Sequence, residues 1–198
     1  RGIEDLRVYV ENGKTLFTST SYKQYIKDTI SIVHGEYDIQ THTLKDCIGI
    51  HSPTGNNCEK NWVHVPDTSD MIYSWRPLII GTIDKDRLVI TKTINTPPLF
   101  DLFRGSSPPL SFENQWMVLV HFVEYSIPRK YYHCFVRLTK EYTPIAVSLP
   151  FYFRENAIEY CISVIKQGDN LKCFASLNDC DPHEITIPYS SLEWMNVV

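Results

Sequence analysis

Short β-type runs, each bounded by a turn signal, follow one another along almost the whole chain. Val8-Tyr9-Val10, Met71-Ile72-Tyr73 and residues 116–122 are rich in β-branched and aromatic side chains. Pairs that favour tight turns, such as Asn12-Gly13 and Gly168-Asp169, separate such runs. Evenly spaced short strands without intervening helices predict an all-β protein, which can be a sandwich, a barrel or a propeller.

One segment has helical spacing. Residues 22–30 place two tyrosines and two isoleucines on one face of a helix. The strands expected on both sides lie close to this segment, so a short helix is the less favoured interpretation.

A repeat in the order of these features distinguishes between the all-β architectures. A polar or turn-like start leads into an aromatic strand, a hairpin and a further strand, beginning at Asp5, Lys60, Arg104 and Pro150. These starts lie 44 to 55 residues apart, and about 40–50 residues carrying four strands is the length of one propeller blade. We therefore expect one β-propeller domain over residues 1–198, with about four blades in this chain.

Charge and residue spacing exclude several classes of function. Nineteen Lys and Arg against 23 Asp and Glu give a net charge of −4, which argues against a protein held to nucleic acid by phosphate contacts. No apolar run approaches the roughly 18 residues of a membrane-spanning helix, so no membrane span is expected. The seven histidines include no H-x-H or H-x-x-x-H pair, so we expect no metal site.

The six cysteines stand at positions 47, 58, 134, 161, 173 and 180, and no pair has C-x2-C spacing. In a hairpin around Gly168-Asp169, Cys161 faces Ser176. Cys173 then faces Val164, which puts the two thiols on opposite faces of the sheet. Buried structural thiols are the favoured interpretation, and disulfides remain open.

Two acids and a guanidinium stand within four residues near the start of the chain, in the segment Gly2-Ile3-Glu4-Asp5-Leu6-Arg7. An extended backbone projects Asp5 and Arg7 to one side and Glu4 to the other. An aspartate beside an arginine stays ionised unless burial or a substrate changes the balance. A solvated ion pair at the start of a strand is the alternative.

Two tryptophans stand beside cationic and amide side chains, in Lys60-Asn61-Trp62 and in Trp75-Arg76. This combination suits sugar recognition, because an indole face stacks on the apolar face of a pyranose while amides and cations bind hydroxyl groups or an anion. Packing of both indoles in the core is the alternative.

A Gly-Ser-Ser-Pro turn precedes another aromatic strand. The turn offers backbone N–H groups and Arg104 to an anion, and His121 lies inside the strand that follows. A hydrogen-bonded core role for His121 is the alternative, and no G-x-S-x-G elbow frames Ser107 for a hydrolase triad. By itself, Asn178-Asp179 is typical of an ordinary turn.

Taken in order, these motifs resemble the five-bladed β-propeller of the glycoside hydrolase family 130 phosphorylases, and more closely a related group of propeller domains found beside glycosyltransferases. The Gly-Val-Glu-Asp-Pro-Arg element of the family is similar to residues 2–7, with Leu6 in place of proline. The resemblance spans residues 2–188. It continues through residues 59–62, 73–77, 104–109, 116–121, 131–133, 150–153, 158–160 and 176–179.

The resemblance implies a glycosidase or glycoside phosphorylase that acts with inversion. Asp5 would be the general acid toward the glycosidic oxygen, and phosphate, or water in hydrolytic members, would attack the anomeric carbon. Arg104 and His121 would bind the anion. Substrate contacts would come from Glu4, Arg7, Lys60, Asn61, Trp62, Arg76 and Asp179. No cofactor is implied beyond inorganic phosphate as a co-substrate, and the expected partners are a glycan and a fused or associated glycosyltransferase.

Departures from the family pattern keep two further functions open. Leu6 replaces proline, Lys60 has a changed context, and residues 19–58 offer no obvious cation for phosphate. A non-catalytic carbohydrate-binding or interaction module and a structural propeller with a protein-binding face are therefore alternatives. The enzyme and the carbohydrate-binding module both require a set of side chains to converge on one central funnel, namely Asp5, Lys60, Arg104, His121 and Asp179. Five-bladed closure also implies a first blade upstream of Arg1.

Overall fold

The computed structural model describes residues 2–154 and 157–197, which form β-strands joined by turns and short 3-10 helices. The chain divides into two compact units. The first comprises the chain up to Ser74 together with Leu78–Thr93, and the second comprises Trp75–Pro77 with the chain from Ile94 onward. None of the helices in the described residues is long and apolar enough to cross a membrane.

The first unit begins with a four-stranded antiparallel meander, in which each strand pairs with the next. Its strands are β1 (Ile3–Glu11), β2 (Lys14–Tyr22), β3 (Ile30–Asp38) and β4 (Thr43–Ile50). Asn12-Gly13 joins β1 to β2 with φ of 51° and 75°, as a two-residue hairpin turn requires. The segment between β2 and β3 is a loop without a helix, in which the Lys23 N–H donates to the Thr29 carbonyl at 2.8 Å.

A second four-stranded sheet follows. Its strands are β5 (Val63–His64), β6 (Asp70–Trp75), β7 (Leu78–Asp84) and β8 (Arg87–Ile94), again in sequence order. Apolar side chains from both sheets form a shared core cluster, in which Tyr73 and Ile83 also pack. The buried members of this cluster are Ile32, Ile50, Trp62, Met71 and Leu88.

The second unit holds the remaining two sheets. The third sheet contains β9 (Arg104–Gly105), β10 (Leu110–Phe112), β11 (Gln115–Glu124), β12 (Lys130–Thr139) and β13 (Pro144–Ser148). The fourth contains β14 (Glu159–Gln167), β15 (Asn170–Leu177) and β16 (Asp181–Pro188). The last strand, β17 (Trp194–Asn196), returns to pair with β13 in the third sheet. Four antiparallel sheets in succession confirm the predicted all-β class with four blade-sized segments.

The register between β14 and β15 corrects the expected placement of two cysteines. Cys173 pairs with Val164 as predicted, but Cys161 pairs with Ala175, because the register shifts between Cys161 and Ser163. This β-bulge turns Cys161 to the same sheet face as Cys173, and both lie in the core cluster of the second unit. The prediction that they lie on opposite faces is therefore wrong. All six cysteines are free thiols.

Candidate functional site

Asp5 lies at a β-bulge near the start of β1. Glu4 pairs with Thr20 and Arg7 with Thr18, so Asp5 and Leu6 together oppose a single residue of β2. The backbone of Asp5 is left-handed, with φ of 56°, a conformation that costs energy in most residues and is commonest in Asn and Asp. Asp5 is therefore half-buried and lies on an irregular backbone, where the sequence predicted a regular extended strand.

The side chain of Arg7 holds this bulge in place. Its side chain is 3% exposed, and Nη1 donates a hydrogen bond to the Asp5 carbonyl oxygen at 3.1 Å. A buried guanidinium strengthens a charge-assisted bond of this kind, because water does not compete for the carbonyl. Glu4, by contrast, is exposed. Arg7 therefore supports the backbone that carries Asp5.

Lys60 and Asn61 are presented by a short loop before β5. Lys60 is exposed, and Asn61 is partly buried with a left-handed φ of 62°. The flanking residues anchor the loop: the carboxylate of Glu59, 5% exposed, accepts a hydrogen bond from the Trp62 indole at 3.0 Å. Glu59 belongs to a segment matched to the family, but nothing in the sequence assigned it a role.

The two tryptophans take the core role that the sequence left open as the alternative. Trp62 is 1% exposed and meets the Tyr73 ring edge-on at 5.2 Å. Trp75 is 4% exposed and packs against Phe100 and Phe103, each with 6.4 Å between ring centroids. Since the Trp62 ring has no open face, the expected stacking of a sugar on Trp62 is corrected to a packing and hydrogen-bonding role.

Arg104 and His121 are direct cross-strand neighbours. Arg104 in β9 pairs with His121 in β11, and residues opposite each other in an antiparallel pair carry their side chains on the same face. Arg104 is exposed, donates to the Tyr125 hydroxyl at 2.6 Å and lies 5.9 Å from the centre of that ring. The structure therefore brings together the two residues expected to bind an anion.

His121 is held by partners that sequence reasoning did not assign. It is 3% exposed, and its Nδ1 lies 2.8 Å from Oγ of Ser106, a fully buried residue. The Tyr131 ring stacks on the imidazole at 5.7 Å, and the Tyr160 ring meets it edge-on at 5.3 Å. Both tyrosines belonged to the matched segments, but a single sequence does not show which aromatic ring meets which.

Arg76 and Asp179 lie at the ends of strands. Arg76 is exposed directly after β6, and its Nη1 lies 3.5 Å from the Pro98 carbonyl oxygen. Asp179 is exposed in the β15–β16 turn, where it follows Asn178 with φ of 60° and 53° respectively. Two consecutive left-handed residues are the geometry of a tight hairpin turn, so the turn interpretation of this motif holds.

The predicted residues are thus divided between the two units. Glu4, Asp5, Arg7, Lys60 and Asn61 belong to the first unit. Arg76, Arg104, His121 and Asp179 belong to the second unit. Convergence of the two sets on one funnel remains a prediction. Within residues 2–154 and 157–197, no cluster of three or more His, Cys, Asp or Glu side chains is placed to hold a metal ion.

Comparison with known proteins gives a fold and no close relative. No protein-family model and no curated protein sequence matches the chain. Among solved structures, a β-1,2-mannobiose phosphorylase from Listeria innocua superposes with a TM-score of 0.63 at 15% identity, over 96% of this chain and 59% of its own. A second similar structure comes from the GH130 family of mannoside phosphorylases, described as containing glycoside hydrolases that target β-1,2-mannosidic linkages in Candida mannan. It superposes with a TM-score of 0.61 at 11% identity, over 96% of this chain and 66% of its own.

A third similar structure is a GDP-mannose-dependent mannosyltransferase from Leishmania mexicana, with a TM-score of 0.56 at 12% identity, over 99% of this chain and 72% of its own. At such identities the similarity establishes the fold alone, and it confirms the all-β propeller class. The chain spans 59% of the length of the mannobiose phosphorylase.

Proposed function

We propose that this chain is a carbohydrate-active propeller domain that cleaves a β-mannosidic bond with inversion, with Asp5 as the general acid. The observation that carries the proposal is the backbone of Asp5: a left-handed aspartate at a β-bulge, held by the buried Arg7. Strained non-glycine residues and bulges concentrate at functional sites. The fold shared with the mannobiose phosphorylase supports the choice of a β-mannoside as substrate.

In the proposed reaction, the protonated carboxyl of Asp5 gives its proton to the glycosidic oxygen as the bond to the anomeric carbon breaks. Phosphate attacks that carbon from the opposite side, so the products are α-mannose 1-phosphate and a glycan shorter by one sugar. Phosphate is its own nucleophile, so one carboxylic acid is sufficient. With water as nucleophile, the product is α-mannose; the attacking water releases its proton to solvent, and Asp5 takes up a proton again before the next turnover.

Arg104 and His121 are proposed to bind the attacking anion. The guanidinium and the imidazole come from directly opposed residues of β9 and β11, and Ser106 orients the His121 ring. Such a preset pair stabilises an oxyanion without reorganisation at the moment of reaction. Glu4, Lys60, Asn61, Arg76 and Asp179 are proposed to bind sugar hydroxyls.

The test is turnover of β-1,2-mannobiose by the full-length protein, with and without phosphate, followed by proton NMR of the anomeric signals. Asp5→Asn is expected to lower kcat by about 10²- to 10⁴-fold. Asp67→Asn is the matched control, because Asp67 is another left-handed aspartate, with φ of 59°, in an exposed turn. Equal turnover by wild type and Asp5→Asn, or a retained β-anomer, overturns the assignment of Asp5.

A second candidate is a non-catalytic carbohydrate-binding module associated with a glycosyltransferase. Leu6, where the phosphorylases carry proline, and the fold shared with a GDP-mannose-dependent mannosyltransferase favour it. This candidate predicts mannoside binding without turnover, and binding that is unchanged in Asp5→Asn.

A further inference from the structure

The fourth sheet ends in an open edge. In the described part of the chain it contains three strands, β14 to β16, whereas the first two sheets contain four strands each and the third contains more. Its last strand, β16, pairs with β15 on one side and with no described strand on the other. The outer edge of β16 therefore carries main-chain groups that no neighbouring strand satisfies.

The hydrogen-bond pattern identifies which groups of β16 point outward. The Tyr189 N–H donates to the Asp169 carbonyl oxygen at 2.8 Å, one step beyond the last pair of the β15–β16 ladder. Because antiparallel pairs alternate between bonded and non-bonded, the odd-numbered residues of β16 bond to β15 and the even-numbered residues point away from it. The outward N–H groups are those of Glu184 and Thr186, and both residues are exposed.

Two prolines limit the length of this edge. Pro182 and Pro188 also stand at outward positions, where the missing N–H groups cost the ladder with β15 no hydrogen bond. Prolines on an edge strand hinder unlimited pairing with other chains. Between them, the N–H and C=O groups of Glu184 and Thr186 remain open to a partner. A strand that pairs here is therefore short and has a defined register.

An apolar groove of about 480 Å³ lies beside the same part of β16. Ile185 and Ile187 contribute to one wall, and Leu149, Phe151 and Tyr152 contribute to another. Leu149 is 42% exposed and Tyr152 is 50% exposed, so the groove opens to the surface, as apolar binding surfaces do. Alternate side chains of a strand paired with β16 lie on the face of Ile185 and Ile187, and they would enter this groove.

The charges near the groove indicate the chemistry of its partner. Glu193 is exposed and lines the groove, and no described Lys or Arg does so. Lys172 pairs with Glu184 at 2.7 Å, which leaves Asp181 and Glu193 without a Lys or Arg within 4.0 Å among the described residues. A second copy of this chain would bring the same acids to both sides of the junction, whereas a basic strand complements them.

We propose that the outer edge of β16 and the groove beside it bind an extended, basic segment of a partner protein by β-strand addition. The main-chain groups of Glu184 and Thr186 set the register, and alternate apolar side chains of the segment fill the groove. A Lys or Arg of the segment pairs with Glu193 and gives preference for a basic sequence. This surface does not include Asp5, so the proposal is independent of the proposed catalytic activity.

The first experiment follows amide hydrogen exchange in the full chain by NMR. Without a ligand, the amides of Glu184 and Thr186 are expected to exchange rapidly, while those of Ile185 and Ile187 are protected by the ladder. The probe is a blocked seven-residue peptide with the sequence lysine, threonine, valine, threonine, valine, threonine, lysine. At saturation it is expected to slow exchange at Glu184 and Thr186 by about tenfold or more.

Two control peptides separate strand addition from other modes of binding. The same peptide with N-methyl groups on the amides of one edge cannot donate along that edge, so a mixture methylated on either edge is expected not to protect Glu184 and Thr186. A peptide with glutamate in place of both lysines is expected to bind about fivefold more weakly, because it meets Glu193 with a like charge.

Variants of the chain test the same contacts. Thr186→Pro removes an outward N–H, as Pro182 and Pro188 do, so the ladder with β15 is expected to persist while the peptide binds about tenfold more weakly. Thr186→Val keeps the N–H and is the matched control, expected to bind within about twofold of wild type. Glu193→Gln is expected to weaken binding by about twofold to fivefold, and Asp101→Asn, at an exposed acid outside the groove, is its control.

Three results would overturn the proposal. Slow exchange at Glu184 and Thr186 in the free full chain would show that the edge is already covered, and dependence of that protection on protein concentration would identify a second copy as the cover. Peptide binding that leaves these two amides unprotected would exclude strand addition at β16. Equal affinity of wild type and Thr186→Pro for the peptide would exclude it as well.

Discussion

The imidazole of His64 stacks on the phenol ring of Tyr9, with 3.7 Å between ring centroids and 12° between planes. The same tyrosine also contacts His34, whose Nδ1 lies 3.3 Å from the Tyr9 hydroxyl. Glu11, which accepts a hydrogen bond from Ser69, is a carboxylate near both histidines, and Asp70 is a second one near His64. The buried His64 and the half-buried His34 therefore share one aromatic ring within the first unit.

This arrangement makes the stability of the first unit depend on pH. Burial lowers the pKa of both His34 and His64. Hydrogen bonds to the Phe17 and Thr68 carbonyls, together with the Glu11 carboxylate, oppose that effect only in part. A histidine whose pKa in the folded state lies below the ordinary 6.5 binds a proton more readily in the unfolded state. This contribution to stability is therefore complete above pH 6.5 and is lost as the pH drops below that value. Each pKa unit corresponds to about 1.4 kcal/mol.

Urea unfolding between pH 7.5 and pH 5 checks this dependence. His64→Phe retains a stacking ring and cannot titrate, so the loss of stability between pH 6.5 and pH 5, here called the acid limb, is expected to be smaller in this variant. Because the hydrogen bond to the Thr68 carbonyl is also lost, the free energy of unfolding at pH 7.5 is expected to fall by about 1 kcal/mol. His183→Gln, at a partly exposed histidine that pairs with Asp181, is the control. An acid limb of equal slope in wild type and His64→Phe contradicts the prediction.

Trp62→Phe is expected to lower the free energy of unfolding by about 1–3 kcal/mol, because Glu59 loses a buried hydrogen-bond donor. Trp116→Phe is the matched control: Trp116 is also buried, at 6% exposed, but its indole N–H has no partner among the described residues. Denaturant titration of both variants measures the difference. Equal losses for the two indoles would show that Glu59 does not depend on the Trp62 bond.

Much of the fold follows from local patterns in the sequence. The runs of β-branched and aromatic residues in β2, β11 and β15 and the turns at Asn12-Gly13 and Gly168-Asp169 predict strands and hairpins, because each depends on neighbouring residues. The return of β17 to β13 depends on a pairing across about 50 residues, and a three-residue strand has no pattern that reveals it. The bulge beside Cys161 is also invisible, since one inserted residue leaves the composition of the strand unchanged.

The candidate site was less accessible to sequence reasoning. Asp5 and Arg7 could be selected because they stand close together in the chain, and the pairing of Arg104 with His121 follows once β9 is placed beside β11. Glu59 gave no such signal, because a glutamate in a loop is usually solvated and its partners Ser52 and Tyr73 lie in other segments. Burial of Trp62 depends on the same long-range contacts.

Thiol reactivity is expected to follow burial. Burial raises the pKa of Cys134 to about 12 and that of Cys161 well above the ordinary value, so these thiols stay protonated and unreactive. Cys58 and Cys180 are exposed and free, and are expected to react first with an aromatic disulfide reagent. The denatured protein is expected to titrate six thiols, and loss of the fast phase in a Cys58→Ser, Cys180→Ser variant is the control. Fast reaction at Cys161 or Cys173 would contradict the core placement.

Two glycines on the third strands of the first two sheets are expected to resist substitution. A Cβ at Gly35 in β3 would lie 2.7 Å from the Lys45 carbonyl oxygen of β4, and a Cβ at Gly81 in β7 would lie 2.7 Å from the Val89 carbonyl oxygen of β8. Each methyl meets backbone, which cannot rotate away, so Gly35→Ala and Gly81→Ala are each expected to cost about 1–3 kcal/mol. Gly2→Ala is the control, because its Cβ meets nothing within 4 Å. Thermal unfolding of all three variants measures the difference. If Gly35→Ala or Gly81→Ala had the same Tm as Gly2→Ala, the prediction would be wrong, because the neighbouring strand would have moved away to make room for the methyl group.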